Sequence, residues 1–158
     1  MLDQLLPPRI DNTYRGHKLA LLLFALVVAM KTTQSLLVIF NGYAVMQSAD
    51  GIPLDIYTPS AAQTVVALGA LSGLSRLIIF LLCALVLARY RSAIPFMFAL
   101  LLFYFLAGQL ILRFLPIAST GTPPGPIVNL TVLALTVIGL ALALWNQDGR
   151  RASNARAT

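Results

Sequence analysis

The sequence predicts an all-α membrane protein: a four-transmembrane-helix bundle with N and C termini cytoplasmic. Three observations predict it. The 158-residue chain is 59% hydrophobic and only 10% charged, where a soluble domain is roughly a quarter charged. The apolar residues come in four blocks, each near the ~20 residues a helix needs to cross hydrocarbon. The cations outside those blocks fall on one side of the membrane for an even number of spans. The length allows one domain.

The elements follow in chain order. Residues 1–17 form a cytoplasmic arm, punctuated by Pro7 and Pro8. It lies along the membrane surface or is loose. The first span covers 18–40. Its basic flank and the apolar run before Lys31 resemble a signal peptide. No small-x-small site follows cleanly, so the segment is read as retained. Residues 41–62 make the long outer loop. "SADGIPLD" carries turn chemistry at Asp50-Gly51 and Pro53. The loop is too apolar to be freely solvated, and so is expected to fold back over the outer mouth of the bundle. A helix start follows, either Thr58 capping with Pro59 at the first helical position or a Ser60/Gln63 capping box.

The second span covers 63–87. "RYRSAIP" is a hairpin short enough to make the second and third spans antiparallel neighbours. The third span covers 94–115. "STGTPPGP" turns into the fourth, 127–145, with Pro126 suited to a first helical turn. The transmembrane domain is thus 18–146, and 147–158 is a basic, disordered cytoplasmic tail. Tyr43, Tyr57 and Trp145 fall near span ends, where amphipathic rings favour the interface.

Of the eleven lysines and arginines, eight lie outside the spans or at their very edge. These are Arg9, Arg15 and Lys18, then Arg89 and Arg91, then Arg150, Arg151 and Arg156. The outer connections hold none. The net charge of +6 is therefore a topology signal and not a nucleic-acid surface. Cys83, the lone cysteine, reads as a small hydrophobe.

Three cations fall inside spans: Lys31, Arg76 and Arg113. Each costs ~2.5–3.5 kcal/mol at a helix centre. The apolar residues of the first span return roughly 4–8 kcal/mol, so Lys31 offsets much of that gain and is expected to face inward. At 1.5 Å per residue, Lys31 and Arg76 lie at similar depth, about 14 and 18 Å from the outer ends of their spans. Arg113 is close enough to the third span's end to snorkel outward.

Each span carries a polar or small stripe. Lys31, Gln34 and Ser35 share one face. Gly69, Ser72, Gly73 and Arg76 share another, and "GALSG" lets a second backbone approach closely. Gln109 and Arg113 are one turn apart. Asn129, Thr136, Gly139 and Ala143 align in the fourth span. Facing each other, these stripes make a polar, outward-opening interior. No acid lies in any span. Either Asp50 or Asp55 dips in from the outer loop to neutralise the cations, or Lys31, Gln34, Arg76, Gln109 and Arg113 await an anionic or strongly polar ligand such as a lipid phosphate, a carboxylate or a quinone carbonyl.

His17 is expected at the headgroup edge, and "FMFALLLFYF" reads as a lipid or partner-helix surface. No Walker loop, CxxC, HExxH, paired carboxylates or haem-type His pair is present. That leaves no candidate catalytic residues, cofactor or metal site. The stretches "NTYRGHKLALLLF", "SADGIPLD" and "RYRSAIPFMFALLL" resemble an uncharacterised family of small four-helix bacterial inner-membrane proteins. The resemblance covers most of the chain and implies the bacterial inner membrane but no activity. In length and topology alone the chain is also similar to the DoxX-like group, from which no residues are carried over.

The reading is a small membrane accessory or subunit protein, surrounded by lipid and other membrane helices, as a homo-oligomer or in a larger complex. Its interior binds an anionic lipid-like ligand or is capped by its own loop. The alternatives are an oligomeric small-solute transporter or channel, and a membrane enzyme acting on a lipid or quinone.

Overall fold

The computed structural model describes Asn12, Tyr14 and residues 16–145. Most of the N-terminal arm and the whole basic tail lie outside the described residues. Five α-helices follow one another: α1 (Lys18–Phe40), α2 (Gly42–Ser48), α3 (Pro59–Arg89), α4 (Ile94–Phe114) and α5 (Gly125–Leu144). No strand occurs among the described residues. All but the short α2 are long and apolar enough to cross a membrane.

Local chemistry sets the helix starts. The Nδ1 atom of His17 accepts from the Leu19 amide at 3.1 Å, so this histidine caps α1. Its backbone amide also donates to the Leu142 carbonyl at 3.1 Å, fastening the start of α1 to the end of α5. Thr58 caps α3 by accepting from the Ala61 amide, with Pro59 in the first turn. Of the two starts the sequence offers, this is the one used, and it gives α3 31 residues. Pro95 and Pro126 occupy the first turns of α4 and α5, where a missing N–H costs nothing.

Packing is uneven. α1 lies closest to α3 and next closest to α5, and α5 in turn carries α4. α4 makes little backbone approach to α1 or α3, because large rings fill the space between. Phe24, Phe80 and Phe98 are fully buried, and Phe24 meets Phe98 edge-on at 5.0 Å. With Val27, Cys83, Leu101 and Val132 they form a dry core toward the Arg89–Ile94 hairpin. Each such buried side chain contributes ~1.5–3 kcal/mol in water. Inside a bilayer the gain comes instead from close packing.

The buried residues of α4 are Ile94, Pro95, Met97, Phe98 and Leu101, all in its first turns. From Gln109 to the helix end every residue is exposed. α4 is therefore packed at the hairpin end and exposed toward the opposite, loop end.

The connection between α1 and α3 folds back, as its apolar content predicts. Met46, Ile52 and Leu54 are buried with Val38 and Ala62 in a second small core. Two backbone bonds latch this loop to the α4–α5 connection, Gly125 N to Ala49 O at 2.9 Å and Thr120 N to Gly51 O at 2.8 Å. A Cβ on Gly125 would stand 2.6 Å from the Ala49 oxygen, so glycine is required for this approach.

Candidate functional site: a cation-lined interior

Lys31 sits on the single buried stripe of α1, between Val28 and Ser35. Only 5% of it is exposed. Its Nζ donates to Gln34 Oε1 at 2.8 Å and to Asn129 Oδ1 at 2.7 Å. The Phe105 ring centroid lies 5.4 Å away. An ammonium only donates, so both amides must turn their oxygens toward it. Two oxygen acceptors and a ring face are what a desolvated cation needs. The Ser35 hydroxyl bonds back to the Lys31 carbonyl at 2.8 Å. The sequence expectation that Lys31 faces inward holds. Its direct partners, however, are neutral.

Gly73 sets the depth of Arg76. A Cβ there would lie 3.3 Å from the Ser35 carbonyl oxygen and 3.2 Å from Ile39, so α1 and α3 are in close contact at this point. Gly69, one turn away, leaves the space that the Met46 side chain fills. Gly73 thus admits the α1 backbone, as "GALSG" implies, whereas Gly69 admits a side chain of the outer loop. α3 runs antiparallel to α1, which brings Arg76 to the level of Lys31. Arg76 is part-exposed. Its Nε donates to the Ser72 carbonyl one turn back at 3.3 Å, which carries the guanidinium toward the loop end. Tyr104 on α4 lies one turn beyond Leu101, the last buried residue of that helix.

Asp50 is the loop acid that turns toward these cations. One carboxylate oxygen lies 3.0 Å from where a Gly125 Cβ would stand, at the N-terminal turn of α5, where the helix dipole favours negative charge. Asn129 is one turn further along the same face. Acid, amide and ammonium thus run down one side of the interior. Burial raises the Asp50 carboxyl above its ordinary value, while Arg76 and then Lys31 pull it back down. The attraction acts through space, without a hydrogen bond to either cation. Asp55 stays exposed on the turn at Leu54–Ile56.

Gln109 and Arg113 do not join Lys31. Both are exposed and line an open groove of about 470 Å³ with Leu106, Leu110 and Leu112. The inward stripe expected of the third span is absent there, because α4 has already left the bundle. Two residues that meet Lys31 stand outside the ligand-binding set read from the sequence. Asn129 was placed on the inward stripe of the fourth span, as its lone amide. Phe105 carried no signal, being one ring in an aromatic run. The described residues hold no cluster of three or more His, Cys, Asp or Glu that suits a metal. No protein-family model, curated protein or solved structure matches the chain.

Proposed function

We propose that this protein is a small accessory or subunit protein of the bacterial inner membrane, both termini cytoplasmic, whose interior binds an anionic lipid-like ligand beside other membrane helices. One observation carries the reading. Lys31 and Arg76 share one level of the bundle, and the acid facing them, Asp50, reaches them only through space. Intramembrane cations face functional cavities or partners by default, and here two cations face one distant acid.

A second observation favours binding over conduction. Below Lys31, toward the hairpin, the interior is filled by Phe24, Phe80, Phe98 and Leu101, each at most 1% exposed. The buried Thr136 hydroxyl there is used within its own helix, on the Val132 carbonyl at 2.7 Å. A polar layer above a dry floor suits retention of a ligand better than passage of a solute.

Thermal unfolding in neutral detergent tests this. An acidic amphiphile is expected to raise the midpoint relative to the alcohol of the same tail, by ligand linkage, and Arg76→Met is expected to abolish the difference. Equal response to acid and alcohol would sink the reading.

A further inference from the structure

We infer that the anion arrives sideways, as the phosphate headgroup of a lipid, and that Arg76 and Tyr104 receive it at the open edge between α3 and α4. This rests on the anion-binding reading above and specifies the ligand's chemistry, its route and its receptor residues.

Four observations lead there. The first is the division of labour between the two cations. Lys31 already has two amide oxygens and a ring. Arg76 commits only Nε, to a backbone carbonyl, so the terminal nitrogens of its fork make no hydrogen bond among the described residues. A guanidinium fork matches two oxygens of a phosphate. The second is the polar surface around it. Tyr104 is 37% exposed, and its ring packs edge-on against Phe105 at 5.5 Å, the ring that faces Lys31. The Ser72 side chain, one turn from Arg76, is also exposed. Arg76 lies one turn before the buried Phe80 on α3, and Tyr104 lies one turn beyond the buried Leu101 on α4; both polar groups thus follow the dry core toward the loop end, at membrane depth, where unmet polar groups are costly.

The third is the opening. α3 and α4 are consecutive, yet they approach each other little, and α4 is exposed throughout from Gln109 onward. Past the rings that fill the hairpin end, α3 exposes Leu71 and Ser72 and α4 exposes Tyr104 and Leu106, a surface for an acyl chain to lie against. The fourth closes the alternative route. From the loop end an anion meets the Asp50 carboxylate and the latch of residues 49–51 on Thr120 and Gly125. Charge and backbone both oppose axial access by a free phosphate, while neither bars the lateral edge.

The test uses the full chain in nanodiscs of zwitterionic lipid carrying a minor fraction of phosphatidylglycerol, with arginine side-chain nitrogens labelled with ¹⁵N. Phosphorus–nitrogen dipolar recoupling then reads which guanidinium lies against a lipid phosphorus. The expected result is a contact that disappears in Arg76→Gln, falls severalfold in Arg76→Lys and in Tyr104→Phe, and persists in Lys31→Met. The lysine variant keeps the charge and loses only the fork, which guards against a folding artefact. A contact with inorganic phosphate, with none from the lipid, would overturn the lateral route while leaving the anion-binding reading intact. A lipid contact seated at Arg113, with Arg76 silent, would overturn the assignment of the residues. Silence from both lipid and inorganic phosphate would overturn both proposals.

Discussion

Lys31 is tolerated at mid-helix because its surroundings answer its charge. Placing a lysine there costs ~2.5–3.5 kcal/mol. Two hydrogen bonds to an ionised donor return ~1.5–3 kcal/mol each, and a desolvated ring face adds up to ~2 kcal/mol. The sequence pointed to the cation and its inward direction but sought an acid as partner. Its partners are two amides, Gln34 on the same face and Asn129 98 positions away, and nothing local marks a neutral oxygen as a cation's acceptor. A non-additive outcome is expected from this geometry. Asn129→Leu strands the ammonium and should destabilise by ~1–3 kcal/mol. Adding Lys31→Met removes the stranded charge, so the double variant should unfold at a higher temperature than Asn129→Leu alone. A double variant less stable than Asn129→Leu would contradict the assigned pair.

Asp50 gives a second prediction at this scale, from groups on three elements: its own loop, Lys31 of α1 and Arg76 of α3. Its folded-state value is raised, mainly by burial. The folded protein therefore holds this proton more tightly than the unfolded chain does. The resulting stability is fully present below the unfolded value and is lost as pH rises through the folded one. Asp50→Asn should flatten that fall, and near neutral pH it should leave the unfolding temperature unchanged or higher. A marked loss of stability in Asp50→Asn at neutral pH would mean that the loop is held by a true ion pair instead.

Among the elements, the four spans were legible because hydrocarbon thickness fixes their length and the flanking prolines, caps and cations fix their ends. The first span matches its predicted bounds, 18–40, in full. The second starts four residues earlier, at Pro59, because the Thr58 cap carries the helix beyond its apolar stretch. The direction of α4 was not legible. "FMFALLLFYF" is apolar on every side, so no stripe shows which face turns inward or where the helix leaves its neighbours. The loop latch was half legible. Its apolar residues required burial, but the backbone bonds that hold it carry no side-chain signature. Gly125→Ala tests the latch. The new methyl would meet the Ala49 carbonyl oxygen, and relieving such overpacking typically costs ~1–3 kcal/mol. Hydrogen exchange should then speed up at Gly51 to Leu54 and stay unchanged at Phe24 to Val28 in the dry core. Faster exchange in both segments would show that the loop and core open as one unit.

For the whole molecule, the packed start and the exposed end of α4 have one cause. Phe98 in its first turns fills the space to α1 and α3, whereas the one aromatic residue of α4 beyond Phe105, Phe114, is exposed. Above the dry floor, Lys31 and Arg76 leave the charge unbalanced within the spans. The anionic ligand proposed for them is best sought before any detergent or reconstitution replaces it. The measurement that tests this most directly is native mass spectrometry of the protein extracted gently from its own membrane, beside Arg76→Met prepared identically. An acidic lipid is expected at fixed stoichiometry on the wild-type chain and missing from the variant. A lipid-free wild-type mass, or an acidic lipid retained equally by a folded Arg76→Met, would contradict it.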